Sequence, residues 1–290
     1  MPRPIALVTA ATARDLDTDL PYLVRAFADR GVMAELIDWD TADEDWTRFS
    51  SAVIRSPWDY HRRLDEFLVW LERVSRLTTV HNPVDVIRWN LDKRYLAEMT
   101  DAGLETIPTT WIASDADIET AGDLFDADIV VKPTVSAGAN NSWRHTADRE
   151  GAVAHAHEIL SLGKSVMLQP YQRFIDDRGE TGMLYFAGEY SHAFRKGPIL
   201  ANGAMEKNDL YVEEEITARK PSEQERELGD AVLEFLAGKF GRAPLYARVD
   251  VVKGSRGVPV LMEVELAEPS FFLHVAPGAA ERFVGAVLAR

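Results

Sequence analysis

The stretch YARVDVVKGSRGVPVLMEVELAEPSFF, residues 246–272, reads as two apolar strands around a glycine-rich turn, yet it carries Asp250, Glu263 and Glu265. Side chains alternate between the faces of a strand, and the turn GSRG brings residues near 253 and 258 opposite each other. That pairing collects Arg248, Asp250, Glu263 and Glu265 on one face. The other face holds Ala247, Val249, Val251, Met262, Val264 and Leu266, a surface suited to a core. A charged face can simply meet water, as one side of many antiparallel sheets does. The charge balance argues otherwise, because carboxylates about 5 Å apart repel by about 3 kcal/mol per pair at an effective dielectric near 20. Arg248 is the nearby cation on that face. A hard cation such as Mg2+ would relieve the repulsion, and such ions commonly sit beside nucleotide phosphates.

The rest of the chain is therefore searched for a phosphate site. Its 290 residues are 46% hydrophobic, enough for two domains or one elaborate domain. The net charge of −15 disfavours nucleic acid and anionic membrane as partners, since both are held by Lys and Arg. There is no cysteine, which removes disulfides, thiol nucleophiles and thiolate metal sites. Near the N-terminus, Asp15, Asp17 and Asp19 stand where a cleavage region would be neutral and small, so the segment reads as a buried strand, a loop and a helix start. No apolar run approaches the roughly 20 residues of a membrane span, and a cytoplasmic protein is expected.

Residues 1–85 alternate apolar runs with helical patterns (IALVT, LPYLVRAFADRG, VMAELID, SAVIRS, RLDEFLVWLERV), the mark of a parallel sheet whose ligands gather at the carboxyl ends of its strands. Those ends place Arg14, Asp15, Asp17, Arg55, Ser56, Trp58 and Asp59 as candidates for one substrate crevice; alternatively, SPWDY is a turn with a packed Trp. A helix is expected from about Asn90 to Gly103, with Lys93 in its first turn, where a cation is electrostatically misplaced. In ADIVVKPTVSAGANNSWR (127–144) a buried strand delivers Lys132 to a loop of small residues, Ser136 to Ser142 and including Gly138, whose amides can approach an anion. The strand SVMLQPY (165–171) runs into a linker-like QRFIDDRGE, where backbone can meet an adenine edge and Asp176 or Asp177 the ribose hydroxyls. Two further strands end in the adjacent cations Arg195 and Lys196. The helix SEQERELGDAVLEFLAGKFG precedes the opening hairpin, and a last amphipathic helix spans about 277–289.

This series, Lys93 in NLDKRYL, Lys132 in VVKP, LQPY, FRKG, ARVD and MEVELAEPSFF, resembles the ATP-grasp superfamily, the fold of D-alanine–D-alanine ligase and glutathione synthetase. The resemblance covers about residues 90 to 272. It implies an α/β (α+β) ATP-grasp fold with a Rossmann-like N-terminal domain over 1–85, a lid subdomain over 86–166 and a C-terminal subdomain over 167–290. It also implies that Lys93 and Lys132 hold the ATP phosphates under the Ser136–Ser142 loop and that main chain at Gln169, Pro170 and Tyr171 meets adenine. Arg248, with Arg195 and Lys196, would act on the transferred phosphate, and Asp250, Glu263 and Glu265 would bind two Mg2+ ions, Mn2+ being an alternative. Glu265 departs from the pattern, because that ligand is commonly Asn.

Such enzymes phosphorylate a carboxylate, and an amine then attacks the acyl phosphate, so positioning and positive charge replace a nucleophilic dyad. The blend of LDTDLP, RSPWDY, HNP, SHAFRKG and EPSFF is similar to the branch containing the cycloserine-forming O-ureido-serine cyclo-ligase, and to glutathione-synthetase-like relatives. It implies a small amino-acid-derived substrate, with O-ureido-D-serine cyclising to D-cycloserine. Ligation of two separate amino acids, a non-catalytic nucleotide-binding module and a calcium-binding hairpin are the competing readings. The oligomeric state, a homodimer included, stays open.

Overall fold

The computed structural model describes residues 3–138, 140–198 and 215–290. The N-terminal strands β1 (Ile5–Thr9), β2 (Ala34–Asp38), β3 (Ser51–Ser56) and β4 (Thr79–His81) form a parallel sheet in the order β2-β1-β3-β4. Helices α1 (Leu20–Asp29) and α2 (Leu64–Ser75) bury their apolar stripes on it, α2 through Phe67, Trp70, Leu71 and Val74. In place of one helix from Asn90 to Gly103 there are two short ones, α3 (Val84–Asn90) and α4 (Tyr95–Asp101). Lys93 lies in the turn between them, its amide donating to the Thr134 carbonyl at 2.9 Å. The break answers the misplaced cation, because Lys93 belongs to no helix start.

The second sheet, of order β5-β8-β6-β7, is built from β5 (Thr110–Ile112), β6 (Asp128–Pro133), β7 (Trp143–Thr146) and β8 (Val166–Pro170). It is covered by α5 (Asp115–Ala121) and α6 (Arg149–Ser161), whose inward residues include Ile118, Ala152, Ala156 and Ile159. The loop from β6 to β7 is the small-residue loop, of which Ala139 lies outside the described residues. The segment after β8 is not a bare linker: it forms the short helix α7 (Phe174–Arg178).

The third sheet is antiparallel, order β11-β10-β9-β12-β13, with β9 (Glu180–Phe186), β10 (Glu189–Lys196), β11 (Ile216–Ala218), β12 (Tyr246–Lys253) and β13 (Pro259–Glu265). Helix α8 (Glu223–Phe240) packs on it; a capping box of Ser222 and Glu225 starts α8, and Gly241, at φ 73°, ends it in the left-handed region. The last helix, α9 (Ala279–Leu288), packs back on α1, so one core joins Leu7, Leu20 and Phe27 to Phe186, Tyr246, Phe271 and Phe283. Sheet membership moves the expected boundaries. The cut at 85/86 falls inside α3, and the cut at 166/167 falls inside β8, which pairs with β5 and β6 through Pro170.

Along β13 the outward backbone groups are taken by side chains and by one neighbouring segment. Asn90 accepts from Leu266 N at 2.7 Å and donates to Val264 O at 2.7 Å, while the Tyr95 hydroxyl meets Val264 N and O, each at 2.8 Å. Asn82 donates to Leu266 O and Tyr246 O, both at 2.9 Å. Segment 105–107 bonds Leu261 at both N and O.

Candidate active site

The hairpin register sets Arg248 opposite Glu265 and Asp250 opposite Glu263, so the four charged groups share a face. That face is one wall of a cleft that the second and third sheets line together with Trp58 and Tyr60, which follow β3. A bulge after Asp250 pairs Val251 with Leu261 and leaves Met262 as the extra residue. Met262 therefore leaves the core face assigned to it by simple alternation; Leu261 is buried in its place. Met262 forms an apolar slot in the cleft with Ile107, Val130 and Ile175.

At the other end of the cleft the charges interlock. Lys93 Nζ lies 3.0 Å from Glu263 Oε1, 3.0 Å from the Ser136 carbonyl, to which it donates, and 3.5 Å from Ser136 Oγ. Arg248 bonds Asp250 at 2.8 Å and also Glu265. The protein around these groups perturbs their protonation. Burial pulls Lys132 below its ordinary value, with Glu263 partly offsetting this; burial also lowers Lys93, but Glu263, Glu265 and Glu268 together outweigh it and the net shift is upward. Glu263 would rise through burial, yet Lys93 and Lys132 hold it below the ordinary range. Glu265 is pushed up to about 8 by burial, which Arg248 offsets only in part, and Glu268 is likewise raised.

Among the described residues no three carboxylates or histidines converge as a ready metal cluster. Lys93 and Arg248 divide the carboxylates between them. The donor chemistry nevertheless fits a hard cation: the oxygens are carboxylate, and Glu265 remains short of positive charge.

Lys93, Lys132, Ser136, Gly138, Ser142, Gln169, Pro170, Tyr171, Lys196 and Arg248 also line the cleft. Arg195 does not. It is next to Lys196 in β10 and so faces the other way, donating to the Arg178 carbonyl at 3.0 Å and pairing with Glu215 at 3.4 Å. At the hinge, Pro170 has no N–H, and the Tyr171 N–H already donates to the Asp128 carbonyl at 2.9 Å. Of the two acids proposed for ribose, Asp176 turns to the Tyr171 hydroxyl and lies 3.6 Å from Arg144, while Asp177 is an exposed residue of α7; neither lines the cleft. Glu180 does, buried at the start of β9 directly opposite Lys196. Sequence reading missed it because it looks like a polar strand start behind Gly179.

The proposed substrate crevice is corrected most. Arg55 is fully buried, 3.4 Å from Asp19 and 3.9 Å from Asp17, with its guanidinium 3.7 Å over the Phe271 ring. Asp19 in turn accepts from the backbone N–H groups of Phe271, Phe272 and Leu273, at 2.6, 3.1 and 2.7 Å. Ser56 pairs with the Thr9 hydroxyl, Asp59 accepts from Trp39 Nε1, Arg14 binds Asp38, and Asp15 is exposed. None of these six lines the cleft. Of the expected crevice residues Trp58 alone lines the cleft, joined there by Tyr60, Glu268 and Ser270.

Comparison with known proteins places this arrangement. Residues 5–82 match the family model described as the N-terminal domain of D-cycloserine synthetase DcsG. The cycloserine biosynthesis protein DcsG of Streptomyces lavendulae is 38% identical over 296 residues, covering 99% of this chain and 98% of that protein. The crystal structure of D-cycloserine synthetase DcsG superposes with a TM-score of 0.90 at 37% identity, covering 99% of each chain. D-alanine–D-alanine ligase from Bacillus anthracis, solved with ATP, shares the fold at a TM-score of 0.66 and 12% identity, over 99% of this chain and 96% of that one. The chain belongs to the DcsG family of ATP-grasp enzymes and is an ATP-dependent carbon–nitrogen ligase.

Proposed function

We propose that the enzyme phosphorylates the carboxylate of O-ureido-D-serine and closes it to D-cycloserine. The observation that carries this reading is the single cleft in which an apolar slot, a loop of small residues and a cluster of cations and carboxylates meet, in a chain of this family. The base of ATP takes the slot of Ile107, Val130, Ile175 and Met262, and the ribose takes Glu180. Lys93, Lys132 and Lys196 hold the phosphates against Ser136 and Gly138. Two Mg2+ ions, replaceable by Mn2+, would be held by Asp250, Glu263 and Glu265; when bound they offset the negative charge of phosphates and carboxylates together. Arg248 orients the acceptor carboxylate and the transferring phosphoryl group.

The γ-phosphoryl passes to a carboxylate oxygen, and ADP leaves. The nitrogen attached to the side-chain oxygen then bonds to the acyl carbon and loses its proton, phosphate departing with the electron pair of the C–O bond; water next cleaves the bond from that nitrogen to the carbamoyl carbon, the nitrogen takes a proton, and the carbamoyl group leaves as carbamate, which breaks down to carbon dioxide and ammonia. Both reacting groups belong to one molecule, so no second substrate is needed, and the cleft supplies the high effective concentration of a held pair. Trp58, Tyr60, Glu268 and Ser270 form the end of the cleft where this substrate sits.

Mass spectrometry of a mixture of enzyme, Mg·ATP and O-ureido-D-serine alone tests the reading, with the cyclised product and ADP expected. ADP release that appears only when a separate amino acid is added would assign the enzyme to ligation between two molecules.

A further inference from the structure

Away from the cleft, the second sheet and α6 carry a chain of polar side chains, its two central members buried, that the chemistry above does not use. Asp148 Oδ2 lies 3.4 Å from His145 Nδ1, His145 Nε2 lies 3.2 Å from His155 Nδ1, and His155 Nε2 lies 3.1 Å from Asn141 Oδ1. Both imidazoles are buried, and Trp143 stacks on His155 with 4.2 Å between ring centroids. Asn141 and Ser142 close the small-residue loop; Asn141 sits at φ 55°, a left-handed conformation that Asn tolerates better than most residues, and Ser142 lines the cleft. We propose that the His145–His155 pair is the positioning device of the phosphate loop, fixing Asn141 and through it Ser142. This rests on reading that loop as the phosphate site.

The order of donors follows from proton counting. Asn141 Oδ1 can only accept, so His155 Nε2 carries hydrogen, and in its neutral form His155 Nδ1 must accept from His145 Nε2. His145 can then present a second N–H from Nδ1 to Asp148, whose other oxygen is fixed by the Gly151 N–H at 3.0 Å in the cap of α6. The chain thus works with His155 neutral. Around the pair lie Asp148 on the turn before α6, Asn141 and Trp143 on the loop side, and Ile129, the partner of His145 across the β6–β7 ladder. Arg144 and Thr146, which flank His145 in β7, bind Asp128 instead. His157, two residues beyond His155, turns outward to Asp115 at 3.1 Å and takes no part.

His155→Phe keeps a ring against Trp143 and removes both nitrogens. Loss of one buried hydrogen-bonded link corresponds to about a tenfold rise in KM for ATP, with kcat little changed. Asn141→Ala should give the same rise, the double variant no more than either alone, and His155→Gln, which keeps a donor, should recover much of the loss. Thermal melting of each variant accompanies the kinetics. Variants that melt lower but bind ATP as the wild type does would make the pair a core contact only and overturn the proposal. Gly138→Val separates the two readings. If it weakens ATP while His155→Phe does not, the positioning role alone fails. If neither weakens ATP, the phosphate-loop reading fails and the proposal with it.

Discussion

Two clusters of buried charge invite comparison. Arg55 with Asp17 and Asp19, and Arg248 with Asp250 and Glu265, are built from the same residue types near strand ends, and both stand on the polar side of an apolar strand. The first is sealed in protein: Asp19 accepts from three backbone amides, the guanidinium lies on Phe271, no member lines the cleft, and Arg55 Nε and Nη1 and Asp17 Oδ2 are buried without a hydrogen-bond partner. It fastens the N-terminal domain to the 271–273 segment. The second opens on the cleft, its carboxylates keep 22% and 24% of the side chain exposed at Glu263 and Glu265, and Glu265 remains short of cationic partners. Like composition therefore separates into a latch and a reactive wall according to whether the remaining valence of each charge points at protein or at space.

Substitution should split the clusters cleanly. The largest effect expected is from Lys132→Ala and Glu263→Gln, each lowering kcat/KM by about 10^3-fold with the melting temperature nearly unchanged; ADP release and calorimetry measure both. Arg55→Met should do the reverse, costing about 3–5 kcal/mol of stability by leaving Asp17 and Asp19 unpaired while the folded fraction keeps its kinetic constants. Selective loss of substrate saturation in a folded Arg55 variant would restore that residue to the crevice. A smaller contrast lies inside one strand: Lys196→Ala should lower turnover by roughly 10^2-fold, whereas Arg195→Ala should stay within about 1 kcal/mol of wild-type stability and rate.

A pH series without divalent cation sharpens the comparison further. Glu265 titrates at about 8 when folded, above the ordinary 4.5. The folded state therefore holds the extra proton between those values, and the associated stability is complete below about 4.5 and lost as pH rises through 8. Urea midpoints should fall along that window, and Glu265→Gln should flatten the fall. Smallest of all, Met262→Gln should weaken ATP by several-fold, about 1 kcal/mol, with the acceptor's KM unaffected.

How much of this was legible in the sequence depends on the range of the rule used. Alternation along a strand is local, and it brought Arg248, Asp250, Glu263 and Glu265 to one face correctly. The same rule failed at Met262, because the inserted residue breaks the alternation between Leu261 and Glu263, and GSRGVP gives no sign of a bulge. It would also have separated Arg195 from Lys196, had it been applied there. What no local rule supplies is where the cleft opens. Parallel strands end near Arg55 and Asp59, which suggests a crevice, yet Phe271 covers Arg55 and Trp39 takes Asp59. Glu180, Tyr60 and Glu268 come from three distant stretches, and only tertiary packing brings them to the cleft.

The side chains along β13 have a consequence for association. A sheet margin normally exposes a row of donors and acceptors that another chain can extend. Here Asn82, Asn90 and Tyr95, with residues 105–107, imitate the missing neighbour and occupy the groups of Leu261, Val264 and Leu266. The strand that carries Glu263 and Glu265 is thereby protected from strand addition, and aggregation through this margin would first have to strip away those amides and that hydroxyl.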